Sequence, residues 1–194
     1  MPPVPPAQRS PLPRRIAMAL LALILLLGLV VLIIWLSVHP RKFHYSIEHA
    51  AISKYNLTNN RLNSNFYMVL RAENPNRRMS MYYDRIDVTV LYEDQKLSIN
   101  NVHPFYQPRR NITHLDMYLV AKDATVYGAV ARDLGMHQAS GGALSLDVKI
   151  KAKIRQKVGV FKIHRKLKIF CGKVNVPFDT KKGFQRVFCD ADLD

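Results

Sequence analysis

The stretch from Ile16 to Val38 constrains this chain more than any other feature, because its 23 residues include no charged residue and no proline. At ~1.5 Å per residue, a helix of that length measures about 34 Å, enough to cross a bilayer core of ~30 Å. The segment therefore predicts a single membrane-spanning helix that acts as a signal anchor. One alternative is a cleaved signal peptide, whose apolar core is usually ~7–15 residues long. The other is a buried core helix, which is rarely apolar on every face over such a length.

Residues 1–15 are predicted to form a proline-rich tail. Six of the 11 prolines lie within the first 13 residues. Proline fixes φ and removes a backbone donor, so the tail is expected to be extended and solvated. The spacing of Pro2–Pro6 also matches ligands of aromatic grooves, as an alternative to a disordered leader.

The orientation of the span is predicted from features of the segment that follows it. Basic residues flank the span on both sides, so the positive-inside rule barely discriminates. Two N-glycosylation sequons begin at Asn56 and Asn111, and such acceptors matter only on the lumenal side. Two cysteines, Cys171 and Cys189, also suit an oxidising compartment. We therefore expect a cytosolic N-terminus and a C-terminal domain on the lumenal or extracellular side.

The remaining chain is predicted to be all-β and antiparallel. Residues 39–60 are assigned to a juxtamembrane stalk leading into the domain, and residues 61–194 to the domain itself. In Leu144–Arg155, apolar residues alternate with polar ones, as in a strand with one buried face and one solvated face.

Further strands and one helix follow from similar patterns. Ile86–Tyr92 shows a similar alternation, and Phe66–Ala72 and Ile112–Val120 are rich in β-forming residues. In Ile163–Val176 the apolar positions change from odd to even numbers, which predicts a bulge at Gly172. One short helix is predicted over Ala124–Leu134, so the expected architecture is a sandwich.

The chain shows no motif of a known catalytic or metal site. Its seven histidines lack the i, i+4 pairing with Glu used by zinc hydrolases, and neither a G-x-S-x-G elbow nor a phosphate-binding glycine loop is present. The sequence therefore predicts no enzyme, no metal and no cofactor.

The two cysteines lie in strand-like runs separated by a turn. Antiparallel neighbours could bring Cys171 and Cys189 within disulfide reach. The alternative is two small buried side chains with free thiols.

Positive charge is concentrated on two predicted strands of a chain whose formal net charge is +15. If these strands pair, their cations share one face, whose ligands would be anionic lipid headgroups or acidic polysaccharide. The alternative is a solvated face that keeps the protein soluble. The predicted exterior location argues against nucleic acid, so no nucleic-acid partner is expected. The proposed anionic-ligand face comprises Lys149, Lys151, Lys153, Arg155, Lys162, Lys166 and Lys168.

Three motifs resemble one plant family. The family is that of the hairpin-induced-like, or non-race-specific disease-resistance-like, proteins, which the chain resembles at three places. These are Asn74-Pro75-Asn76 with the following Tyr82-Tyr83-Asp84, Pro104–Gln107 with Asn111-Ile112-Thr113, and the closing pair Cys171 and Cys189–Leu193. The exterior domain of this family is of the late embryogenesis abundant group 2 type. The resemblance implies a fibronectin-like β-sandwich, a plasma-membrane location and a role in defence or stress responses without catalysis. No hydrophobic C-terminal tail follows, so lipid-anchor processing is not expected.

The Asn74-Pro75-Asn76 triplet is interpreted as a structural turn. Proline ends a strand by removing a ladder donor, and asparagine side chains close local turns onto the backbone. The predicted function is thus a non-catalytic, membrane-anchored defence or stress component that acts by binding, with other membrane or defence-signalling proteins among its expected partners. The alternatives are a tether between membrane and acidic wall polysaccharide, and a lipid-binding module with an apolar site in its core.

Overall fold

The computed structural model describes residues 12–38, 41–159, 161–178 and 183–194, so the predicted tail falls largely outside it. Helix α1, Leu12–Val38, includes the whole predicted span. From Pro13 to Ile33 its mean hydropathy is 3.3 and no side chain is buried. By length and composition, α1 could cross a membrane.

The rest of the described chain is mostly antiparallel β-sheet, as the sequence predicts, with one helix. Helix α2, Gly128–Ser140, lies between β6 and β7 in the chain. The strand order is β4-β3-β7-β8-β9-β1-β2-β6, with β5 also paired to β3. The strands are β1 (His44–Thr58), β2 (Arg61–Asn74), β3 (Met79–Tyr92), β4 (Gln95–Val102), β5 (Phe105–Gln107), β6 (Asn111–Thr125), β7 (Ala143–Val158), β8 (Phe161–Pro177) and β9 (Val187–Leu193).

The sheet bends almost into a barrel. Strand β9 pairs with β1 near Val187–Cys189 and then with β8 through Leu193, so it joins the two halves of the sheet. At the opposite seam, the Ser98 hydroxyl of β4 donates to the Val120 carbonyl of β6 at 2.9 Å. The two ends of the strand order therefore approach each other around one core, and the finer prediction of a fibronectin-like sandwich stays a prediction.

The alternation in β7 is confirmed, because its even-numbered apolar residues from Leu144 to Ile154 are buried and Lys149, Lys151 and Lys153 face solvent. The predicted bulge in β8 is also present. Leu146 pairs with Val174 while Val148 pairs with Cys171, which leaves one extra residue on β8. At this bulge Lys173 has a φ of 55°, and its N–H donates to Asp147 Oδ1 at 2.9 Å.

Two elements differ from the sequence prediction. Helix α2 begins at Gly128 instead of Ala124, because Ala124 still pairs with Leu62 in β2 and the Val126 N–H donates to the Asn60 carbonyl. The helix also continues past Leu134, to Ser140.

Residues 39–60, predicted as a juxtamembrane stalk and the entry to the domain, include strand β1, which the sequence pattern does not predict as a strand. The β1–β2 register shifts between Ile47 and His49, so the buried positions change from Tyr45 and Ile47 to Ala50 and Ile52. This irregularity interrupts the period of two that would have revealed a strand in the sequence.

Candidate anionic-ligand face

The proposed cations do lie on one face, because β7 and β8 pair in the required register. Lys151 is opposite Lys168, and Lys153 is opposite Lys166. Directly opposed like charges are unfavourable in an antiparallel pair. We call the seven residues Lys149, Lys151, Lys153, Arg155, Lys162, Lys166 and Lys168 the lysine face; all are exposed except Arg155, which is half-buried.

Three members of the lysine face have acidic partners on neighbouring strands or turns. Arg155 forms a bidentate ion pair with Asp84, with Nη2–Oδ1 at 2.6 Å and Nε–Oδ2 at 2.8 Å. Lys168 is paired with Asp194, and Lys149 Nζ is 3.9 Å from an Asp94 oxygen. The sequence pattern of β7 and β8 alone could not show these acids, which come from β3, the β3–β4 turn and the residue after β9.

The other four lysines have no carboxylate within 4.0 Å among the described residues: Lys151, Lys153, Lys162 and Lys166. Two shallow grooves run along the face. One, of about 470 Å³, is lined in part by Lys153, His164 and Lys166. The second, of about 350 Å³, includes Lys151, and Phe170 contributes an apolar wall. Cationic and apolar groups are thus adjacent on one surface.

The ion pairs at the rim of the lysine face shift the pKa values of the residues that form them. The hydrogen bond and attraction from Asp194 raise the pKa of Lys168, and those from Lys168 lower the pKa of Asp194. The pKa of Arg155 is raised by its hydrogen bond with Asp84. Asp87, beside the face, has a lowered pKa because Asn101 donates a hydrogen bond to it and Arg85 pairs with it. These rim groups therefore stay charged over a wide pH range.

The two cysteines form a disulfide that fastens β9 to β8. The Cα atoms of Cys171 and Cys189 are 4.3 Å apart, and the bridge closes a sequence separation of 18 residues. Cys189 also lies opposite Tyr45 in the β1 ladder. The bridge therefore lies where β9 passes from one half of the sheet to the other.

The Asn-Pro-Asn triplet makes a dense set of buried hydrogen bonds. Asn74 Nδ2 donates to the carbonyls of Met79 and Pro108, both at 2.8 Å, while Asn74 Oδ1 accepts the Asn76 N–H at 3.0 Å. The Asn76 side chain pairs with the backbone of Arg41 in both directions, at 2.7 and 2.8 Å. The triplet therefore ties together the β2–β3 turn, the β5–β6 loop and the start of the β domain.

A buried polar chain that the sequence analysis did not single out links the two halves of the sheet. Gln107 is fully buried; its amide donates to the Ala72 carbonyl at 2.8 Å and its oxygen accepts the Tyr83 hydroxyl at 3.0 Å. Tyr83 and Tyr45 share a hydrogen bond at 2.7 Å. Burial raises the pKa of both tyrosines. Gln107 within the Pro104–Gln107 motif is the signal that the sequence offers, because a buried glutamine needs internal hydrogen-bond partners.

The sequons occupy different environments. Asn56 is exposed near the end of β1, whereas Asn111 is half-buried and lies opposite Asn74 in the β2–β6 ladder. In both, the threonine hydroxyl donates to the asparagine oxygen, at 2.9 Å from Thr58 and 3.1 Å from Thr113.

No group of three or more potential metal-ligating side chains converges within the described ranges. The absence of catalysis and of a cofactor stays a prediction.

Comparison with known proteins identifies the family. The family model described as late embryogenesis abundant protein matches residues 69–181. NDR1/HIN1-like protein 3 of Arabidopsis thaliana is 35% identical over 182 residues, covering 90% of this chain and 78% of the relative. NDR1/HIN1-like protein 10 of the same plant is 31% identical over 168 residues, with coverages of 84% and 74%.

The chain belongs to the NDR1/HIN1-like group of late embryogenesis abundant proteins. The matched region of this NDR1/HIN1-like chain includes the Asn-Pro-Asn turn, Phe105-Tyr106-Gln107 and the whole lysine face. The family that the sequence motifs indicated is confirmed.

Proposed function

We propose that this chain is a single-pass plasma-membrane protein of the defence or stress response that acts without catalysis, by binding acidic ligands on the outer side. Helix α1 would be the anchor, and the β domain, of fibronectin-like sandwich type, would lie outside. The observation that carries the binding proposal is the direct cross-strand opposition of Lys151 with Lys168 and Lys153 with Lys166.

Cross-strand lysine pairs repel each other, and an anion between them relieves the repulsion. Lys151, one of the members without a carboxylate partner, lies beside the exposed ring of Phe170. A chain of carboxylated sugars offers both repeated negative charge and apolar ring faces. An anionic lipid headgroup or an acidic segment of a signalling protein offers the same charge.

The test replaces two members of the lysine face that have no carboxylate partner. Lys151→Glu with Lys153→Glu should abolish low-salt binding of the detergent-solubilised full chain to de-esterified pectin. Both side chains are exposed, so the fold should be retained, as circular dichroism can check. The attraction acts over a Debye length of ~8 Å at 0.15 M salt, so added salt should also weaken binding.

A matched control makes the same change in charge elsewhere. Lys54→Glu with Lys122→Glu alters two exposed lysines of β1 and β6, and should bind like the parent. If the Lys151 and Lys153 variant binds as well as the parent, the lysine face is only a solvated surface. If both variants lose binding equally, only the net charge matters and the proposed site is wrong.

A second candidate function, a lipid-binding module, is favoured by one cavity. A space of about 390 Å³ opens between β1, β3, β8 and β9, and its wall includes the apolar side chains of Phe43, Tyr45, Met81 and Leu167. Mass spectrometry of the purified protein would detect a co-purifying lipid. Loss of that lipid on Leu167→Trp, which fills the cavity, would support this function over polysaccharide binding.

A further inference from the structure

Four segments that are distant in sequence meet at one end of the β domain. The Arg41 N–H donates to Asn76 in the β2–β3 turn, and the Arg110 N–H of the β5–β6 loop donates to the Asn76 carbonyl at 3.1 Å. Met79, just after the turn, pairs with Val158 at the end of β7. We call this the basic end; it comprises residues 41–43, 74–79, 108–111, 156–159 and 161–165.

The charge of the basic end has one sign. Its segments contain nine Lys or Arg residues and no Asp or Glu. Three exposed pairs lead the set: Arg41-Lys42, Arg77-Arg78 and Arg109-Arg110. Within the described part of the chain, none of these six has a carboxylate within 4.0 Å. In this respect the basic end differs from the lysine face, where acids partner three of the seven cations.

The β7–β8 hairpin adds exposed apolar side chains to the same end. Phe161 is 71% exposed and Ile163 is 43% exposed, and Val158 lies opposite Phe161. Lys157, Lys162 and Arg165 flank them. An aromatic ring surrounded by long cationic side chains is the composition of segments that enter the headgroup region of a bilayer.

The covalent chain limits how far Arg41, the first residue of the basic end, can lie from Val38. Only His39 and Pro40 separate Val38 from Arg41. Three Cα–Cα steps span at most about 11 Å. If α1 crosses the bilayer, Arg41 and the Asn76 turn bonded to it lie within reach of the headgroups of the leaflet from which α1 emerges.

We propose that the basic end docks onto anionic lipid headgroups of that leaflet, with Phe161 inserted at the boundary between headgroups and acyl chains. This inference rests on the proposed membrane anchoring and adds a second contact with the lipid. The cations attract anionic headgroups, and the buried apolar area of Phe161 adds to the binding. The docked domain has a fixed orientation, so α2 and the β3–β4 turn, at the other ends of the same strands, face away from the membrane.

The test uses the full chain reconstituted in vesicles. Trp35 is the chain's one tryptophan, so Trp35→Phe gives a silent background. Phe161→Trp then reports on the basic end. Tyr127→Trp is the matched control, because Tyr127 is similarly exposed, at 66%, and immediately precedes α2. The vesicles contain phosphatidylcholine alone or mixed with phosphatidylserine, with bromine atoms on the acyl chains as quenchers.

The proposal expects quenching of the Phe161→Trp reporter in phosphatidylserine vesicles and none of the Tyr127→Trp reporter. Quenching should be lost on adding Arg77→Glu with Arg78→Glu and should persist with the charge-matched Lys54→Glu and Lys122→Glu. Failure of the chain to float with alkali-washed vesicles would instead show that the anchoring proposal has failed.

Three outcomes overturn docking in a chain that does float. The Phe161→Trp reporter stays unquenched; it is quenched equally in neutral vesicles; or its signal depends on the protein-to-lipid ratio. The last result would show that residue 161 of the basic end contacts a second copy of the chain instead of lipid.

Discussion

Asn74 offers the sharpest test of the structural role of the Asn-Pro-Asn turn, because each polar atom of its side chain has a defined partner. Its amide nitrogen donates to two carbonyls, and its oxygen accepts one N–H, in a site where the residue is 1% exposed. Asn74→Asp preserves the shape and the acceptor. It replaces the double donor with an oxygen that faces the carbonyls of Met79 and Pro108.

The expected loss depends on pH. Leaving a buried carbonyl without its donor costs ~1–3 kcal/mol, and this is the loss expected when the new carboxyl is protonated. Burial and the two facing carbonyls would raise the pKa of this carboxyl above the ~3.9 of an unfolded aspartate. The folded state then binds its proton more tightly than the unfolded state. The loss should therefore grow by ~1.4 kcal/mol per pH unit above about pH 4, until the folded pKa is reached.

Urea unfolding of the full chain in detergent measures this effect. All nine tyrosines lie within the β domain, so their near-ultraviolet circular dichroism reports on that part of the protein. Asn175→Asp, at an exposed position of β8, is the control, and should show little loss at any pH. A loss for Asn74→Asp below 1 kcal/mol, or one that does not change between pH 4 and pH 7, would refute the reasoning.

Three further predictions use other parts of the β domain. Cys171→Ser should lower the free energy of unfolding by ~3 kcal/mol, and a reductant should have no further effect on the variant; an unchanged midpoint in urea would contradict this. Burial raises the pKa of Tyr83, so the free energy of unfolding should keep its full value below pH ~10. Above that pH it should fall by ~1.4 kcal/mol per pH unit for each tyrosine with a raised pKa, and the fall should be shallower in Tyr83→Phe. Because Asn56 is exposed and Asn111 is half-buried, Asn56→Gln should remove more of the glycan-dependent gel shift than Asn111→Gln, and the reverse result would contradict this prediction.

Features that depend on local pattern were predictable from the sequence. The alternation in β7 reveals a strand because one of its faces packs on the core while the other meets water. The bulge near Gly172 follows from a change of parity in the apolar positions, and the structure confirms it through the extra residue at Lys173. The family followed from short motifs whose asparagines and glutamine have fixed hydrogen-bond partners.

Features that depend on the meeting of distant segments were not predictable in this way. Strand β1 lacked a clear period because its register shifts after Ile47. The acids that form ion pairs with the lysine face come from elements other than β7 and β8. The sequence pattern of those two strands therefore shows the cations without the acids that partly neutralise them. The basic end is assembled from four segments that are distant in sequence, and no one of them contains more than three cations.

Protease protection in sealed microsomes tests the central claim most directly, because every proposal above places the β domain outside the cytosol and α1 across the membrane. Protease added to intact vesicles should leave a fragment that contains residues 41–194. The same protease should digest that fragment once detergent opens the vesicles and the disulfide is reduced. Digestion of the β domain in intact vesicles would contradict the account.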